Sequence, residues 1–289
     1  MRRGQSTTAT DFPYLNIFSL PQNGEAGGIA SGSEKYYSFD YANVHFVCLD
    51  SMTSGRTTNT AMATWLQEDL AGTAQEWVVA FFHHSLYTKG THDSDSESDL
   101  VELRQNILPI LEANSVDLVL MGHSHVYERS YLLDGHYGLS STLTDSMKID
   151  GGDGRDDGTG AYRKNEAGRG VVYTIAGCSG QALGGPLNHP AHVISLNELG
   201  SVVIEVSGNR LEAKFLTATG AIDDHYTLIK PVQNPPEPLH LIALATTPPT
   251  SRSPGPPARR DKPVTPSIVP WMASTSSSNS SRASMPPPR

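Results

Sequence analysis

Apolar positions along the chain fall into two alternating kinds of run. Trp77-Val78-Val79-Ala80-Phe81-Phe82 and Val116-Asp117-Leu118-Val119-Leu120-Met121 are short and nearly continuous, with the branching of buried strands. Between them Leu100, Leu103, Ile107, Ile110 and Leu111 recur at helical spacing, with Ser98 placed as an N-cap and Pro109 marking a kink or an early end. Strand, helix and strand within this distance predict a βαβ unit with parallel pairing and a right-handed crossover. Upstream, Tyr36–Tyr41 and Asn43–Leu49 read as paired strands, and Met62, Trp65, Leu66 and Leu70 as a short amphipathic helix. Downstream, strands are expected at Val171–Ala176, His192–Leu196, Ser201–Val206, Arg210–Leu216 and Tyr226–Ile229, with Ser207-Gly208-Asn209 as a hairpin turn. The fold class is therefore α/β (α+β by some schemes).

Both strands of the βαβ unit run into histidines. His83 and His84 follow the first, and Gly122-His123-Ser124-His125 follows the second. Ligands of open α/β sheets bind beyond the carboxyl ends of the strands, and parallel pairing puts both ends on one edge. Gly122 permits a sharp turn, and the spacing of His123 and His125 can bring two imidazoles to one spot. Neutral imidazole is a common transition-metal ligand.

These segments carry a family resemblance. Gly122-His123-Ser124-His125 followed by Tyr127-Glu128-Arg129 is similar to the last motif of the calcineurin-like metallophosphoesterases, in the purple acid phosphatase branch. His83-x-x-x-Tyr87 resembles the preceding motif, with Ser85 where that family usually has proline. Tyr36–Tyr41 and Asn43–Ser51 also resemble that branch, and the likeness runs over about residues 12–230. It implies a four-layer αββα sandwich, present here in part and without its N-terminal strands. It implies hydrolysis of phosphate esters by a hydroxide held between two divalent or trivalent ions such as Fe, Zn or Mn. By resemblance His83 and His123 bind one metal and His125 the other, while His92 steadies the substrate or protonates the leaving alkoxide. Tyr127 is expected to line the site and Glu128 with Arg129 to form a structural ion pair. His84 should pack or hydrogen-bond beside the site.

The family's earlier metal motifs (Asp before His, Gly-Asp, Gly-Asn-His) have no match here, and Asp11, Asp40 and Asp50 stand in no fitting context. Residues 1–230 thus resemble the C-terminal portion of a catalytic domain, and its three histidines are expected to hold at most one ion. The alternative is a catalytically inactive remnant acting at most as a binding module.

Charge and composition refine this picture. Net charge is −9, unevenly spread. Residues 231–289 contain six basic and two acidic side chains, a balance of +4, leaving 15 basic against 28 acidic, or −13, for the rest. So acidic a body argues against a nucleic-acid backbone as partner. Fifteen of the twenty prolines lie in 231–289 among Ser and Thr, a composition expected to stay disordered. Cys48 and Cys178 read as buried thiols rather than a bridge. No run has the length of a membrane span. Met1–Gln5 is basic without an apolar stretch after it, although members of the family are often secreted or periplasmic. The cluster Asp150–Gly158 lacks the spacing of a calcium loop and is expected to be a solvated insertion.

Overall fold

The computed structural model describes residues 13–231, apart from residue 166. The proline-rich segment expected to be disordered lies outside the described residues, save for its first position. All elements below fall within one compact unit.

A mixed seven-stranded sheet forms the centre. Its strands are β1 (Tyr37–Tyr41), β2 (Val44–Cys48), β3 (Trp77–Phe82), β4 (Leu118–Met121), β5 (Tyr127–Ser130), β9 (Val172–Ala176) and β10 (His192–Leu196). Three further short strands, β6 (Leu132–Leu133), β7 (Lys148–Asp150) and β8 (Tyr162–Arg163), intervene along the chain. The order across the sheet is β1-β2-β3-β4-β9-β5-β10. The core β2, β3, β4 and β9 is parallel, and β1, β5 and β10 pair antiparallel at the two sides. The expected parallel pairing of the two apolar runs is present, with Val79 opposite Leu118 and Phe82 opposite Met121.

Alternation along the strands builds two cores, because successive side chains leave opposite faces. Val78, Ala80, Phe82, Val119, Met121, Tyr173 and Ile175 pack under three helices: α1 (Ala61–Gly72), α2 (Ser98–Asn106) and α3 (Leu108–Ala113). Trp77, Val79, Leu118 and Val172 point the other way, onto Leu211, Ala213, Tyr226 and Leu228 of a second sheet. That sheet contains β11 (Gly200–Ser207), β12 (Arg210–Thr217) and β13 (Ile222–Ile229), closed by β8 in parallel with β13. The described layers are therefore helix, sheet and sheet, three of the four layers that the resemblance implies.

Several expectations shift in detail. The helix after β3 breaks at Ile107, so that Pro109 sits near the start of α3, where its missing N–H costs nothing. The N-cap of α2 is Glu97 rather than Ser98, and its side chain does not cap the helix. Tyr127–Ser130 form a strand that the polar sequence concealed. The Asp-rich insertion is tied up by hydrogen bonds and an ion pair: Asp153 accepts from the backbone N–H groups of Arg155 and Thr159, and Asp156 pairs with Arg210 of the second sheet. Both cysteines are free. Among the described residues no helix is long and apolar enough to cross a membrane.

Candidate metal centre

Parallel pairing of β3 and β4 brings their C-terminal loops together, and the Gly122 N–H donates to the His83 carbonyl at 3.0 Å. Beyond that bond the chain turns through His123 in the left-handed region, φ +66°. For a non-glycine residue this costs roughly 1–3 kcal/mol and persists only where the surroundings enforce it. The enforcement is visible. Ser124 Oγ accepts from the Thr91 N–H at 3.1 Å and bonds Thr88 Oγ1 at 2.9 Å, while Thr91 Oγ1 accepts from the His125 N–H at 2.9 Å. Thr88 Oγ1 also reaches the buried Glu128 carboxylate. Gly177, after β9, has no room for a side chain, since a Cβ there would lie 2.0 Å from the Ser124 carbonyl.

These constraints gather the imidazoles. His123 Nδ1 lies 3.0 Å from His83 Nε2. The His92 ring stacks on His123 with centroids 3.6 Å apart, and the His84 ring lies 4.6 Å from His123. Sequence reasoning missed Glu97, whose carboxylate accepts from His92 Nδ1 at 2.8 Å and lies 3.6 Å from His123 Nε2. His92, Glu97 and His123 each offer one ligand atom, all within 4.8 Å of one another. The signal for Glu97 was its place just before α2, where its carboxylate also receives the Asp93 N–H and closes the turn carrying His92. His125 stands close enough to His83 to influence its ionisation, and its own Nδ1 is buried with no partner. His84 is a neighbour as expected, its Nδ1 3.0 Å from Ser51 Oγ.

Electrostatics suit lone-pair donation. Burial first, then the charges of neighbouring imidazoles, hold His83 below the ordinary histidine value and push His84 and His123 down to about 4. Neutral rings keep a nitrogen lone pair for a metal, and the Glu97 carboxylate supplies negative charge. With an orphaned buried imidazole nitrogen at His125, the donor set fits a metal ion.

Tyr127 does not join this group. It is 1 % exposed, stacks on Phe215 and donates its hydroxyl to Asp224 Oδ2 at 2.7 Å, on the face turned to the second sheet. Strand alternation is the reason: Tyr127 and Arg129 leave one face of β5 and Glu128 the other. Hence Glu128 and Arg129 are not each other's partners either. Arg129 pairs with Asp224, both 1 % exposed, whereas Glu128 serves Thr88 and the Lys89 N–H.

Residues 7–127 match the calcineurin-like phosphoesterase family model, a span that includes His83, His92, Glu97, His123 and His125. Purple acid phosphatase 23 of Arabidopsis thaliana is 33 % identical over 155 residues, covering 50 % of this chain and 32 % of that protein. Purple acid phosphatase 22 of the same plant is 39 % identical over 103 residues, covering 34 % and 23 %. A purple acid phosphatase from yellow lupin (Lupinus luteus) seeds shares the fold, with TM-score 0.55 and 18 % identity over 68 % of this chain and 33 % of its own. The chain thus spans a third or less of the length of these relatives. Motifs, fold and relatives point the same way: residues 7–127 match the calcineurin-like phosphoesterase family model, and the chain is similar in sequence and in fold to purple acid phosphatases.

Proposed function

We propose that this cluster is the metal-binding part of a phosphoric ester hydrolase site. The observation carrying the reading is the convergence of His92, Glu97 and His123 within 4.8 Å, with His83 3.0 Å from His123. His83, His123 and His125 are assigned as metal ligands, and Glu97 joins them as the carboxylate. A bound divalent or trivalent ion of the Fe, Zn or Mn type supplies Lewis acidity and an activated water to a phosphate ester. His92 is the catalytic and substrate-binding group. Its Nδ1–H is held by Glu97, which fixes the ring and leaves Nε2 to meet a phosphate oxygen or pass a proton to the leaving group. Lys89 is engaged by Asp93 and Asp95 and does not serve as a phosphate anchor. Tyr127, buried against Phe215, has no part in binding substrate in this reading.

A second reading, a single-ion site without turnover, is favoured by one feature. Among the described residues Glu97 is the one carboxylate within the ligand cluster, so a second ion would lack charge-neutralising oxygen ligands from them. Loss of one ion of a two-metal pair removes several kcal/mol of transition-state stabilisation, on the order of a thousandfold in rate. An aryl phosphate assay of the full chain with added Zn, Mn or Fe separates the readings. Turnover abolished by His123→Ala and His92→Asn supports the hydrolase. Saturable metal binding with hydrolysis only marginally above background, the outcome we expect for this chain, supports the single-ion site. A chain that binds none of these metals refutes both.

A further inference from the structure

Behind the loop that carries His92 lies a second group of polar side chains, all buried and short of partners. Arg104, on α2, is 0 % exposed. Its Nη1 donates to the carbonyls of Leu86 at 3.0 Å and Ser94 at 2.6 Å, the two ends of the His92 loop. Its Nε and Nη2 have no hydrogen-bond partner, and no carboxylate among the described residues lies within ion-pair distance. His136, after β6, is 0 % exposed, and neither ring nitrogen has a partner. His189, before β10, is 3 % exposed. Its Nδ1 accepts from the Ala191 N–H at 3.2 Å, so the neutral ring carries its proton on Nε2, and that nitrogen is unpartnered too. The three meet around Tyr87. The His136 and His189 rings lie 5.4 and 5.6 Å from the Tyr87 ring, and Arg104 holds the carbonyl of the preceding residue.

We infer that Arg104, His136 and His189 form a buried binding site for a small inorganic anion. Counting donors and charge decides against water alone. The Nε–Nη2 edge of a guanidinium offers two parallel N–H groups, His189 offers one, and a neutral His136 offers another. A water accepts two hydrogen bonds and must then place two protons of its own, and it leaves the buried cation without a counter-charge in contact with it. An anion accepts several N–H groups at once and neutralises the guanidinium. The nearby acids stay outside ion-pair distance of Arg104: Asp93 and Asp95 share the one Lys89 ammonium and act on the guanidinium only at longer range, and Glu128 receives Thr88 and the Lys89 N–H. Burial holds His136 at about 4 and His189 at about 2, so at neutral pH the guanidinium supplies the positive charge and the rings supply N–H groups. Because Arg104 ties both ends of the His92 loop, an anion seated on it also steadies that loop.

The test compares thermal unfolding of the full chain in chloride, bromide and phosphate against gluconate at equal ionic strength. At saturation the small anions are expected to raise Tm by about 5 °C or more over gluconate. Chloride acting without phosphate, or the reverse, identifies which anion the site takes. Arg104→Met should abolish the difference. Since that variant also loses the loop contacts, His136→Phe serves as the second, keeping a ring against Tyr87 while removing the N–H, and should weaken the response. Crystals grown in sodium bromide should show an anomalous peak within hydrogen-bond distance of Arg104 Nε and Nη2. A Tm that follows ionic strength alone, an anion response unchanged in both variants, or only ordered waters beside Arg104 overturns the inference.

Discussion

At the scale of single residues, the decisive differences lie between side chains that share a motif. Tyr127 follows the two histidines of the metal motif closely, yet it is buried between Phe215 and Asp224. Tyr127→Phe should lower stability by about 1.5–3 kcal/mol, the range for a hydrogen bond to a charged group. It should leave metal affinity unchanged. Urea denaturation and a metal titration on the same sample check both halves, and a loss of metal affinity would return Tyr127 to the site. His45 makes a second residue-scale prediction. It is wholly buried between Asp69, 2.9 Å from Nε2, and Asp40, 2.7 Å from Nδ1. Burial alone would lower its pKa, but the hydrogen bonds to Asp69 and then Asp40 outweigh it, and the value is raised above 6.5. A raised histidine stabilises the fold fully below the unfolded value, and that contribution fades as pH climbs through the folded one. The stability difference between the protein and His45→Gln should therefore be largest near pH 6 and shrink toward pH 9. A difference growing with pH would contradict it.

At the scale of elements, the βαβ unit was legible because six-residue apolar runs and a helical period leave few alternatives. The positions of His83, His123 and His125 at the carboxyl edge followed from parallel pairing, whereas His92 was named by the family resemblance alone. Glu97 was hidden because its role depends on a turn rather than a period: its carboxylate closes back on Asp93 and His92. The strand β5 was hidden for a different reason. Glu128 and Arg129 look like surface residues until Thr88 and Asp224, distant in sequence, arrive to satisfy them. The same holds for Arg104, whose burial no local pattern announces. The loop after β9 gives the prediction at this scale. Gly177→Ala would set a methyl 2.0 Å from the Ser124 carbonyl, on the segment between His123 and His125. The sheet should still form, as read by circular dichroism, but metal affinity should fall by roughly 10–100-fold, the usual cost of disturbing the groups that support a metal's ligands. Unchanged affinity would show that this packing does not set the histidine geometry.

At the scale of the whole molecule, the sandwich separates two tasks. One face of the central sheet carries the second sheet, where the buried Arg129–Asp224 pair and the Tyr127–Phe215 stack join the layers. The other face and the carboxyl edge carry the helices, the His92 loop and the histidine cluster. Removing one partner of a buried pair typically costs 3–5 kcal/mol. Asp224→Ala should thus lower unfolding stability by about that much, a loss that can be read from the urea midpoint. A change under about 1 kcal/mol would mean that water reaches the pair.

The claim on which the rest depends is that His83, His123 and Glu97 belong to a metal centre. Calorimetric titration of the full chain with Zn2+ or Mn2+, repeated with His123→Ala and Glu97→Gln, tests it most directly. The geometry calls for saturable binding, lost in His123→Ala and weakened about 10–100-fold in Glu97→Gln. Absence of saturable binding, or binding that neither substitution alters, would contradict it.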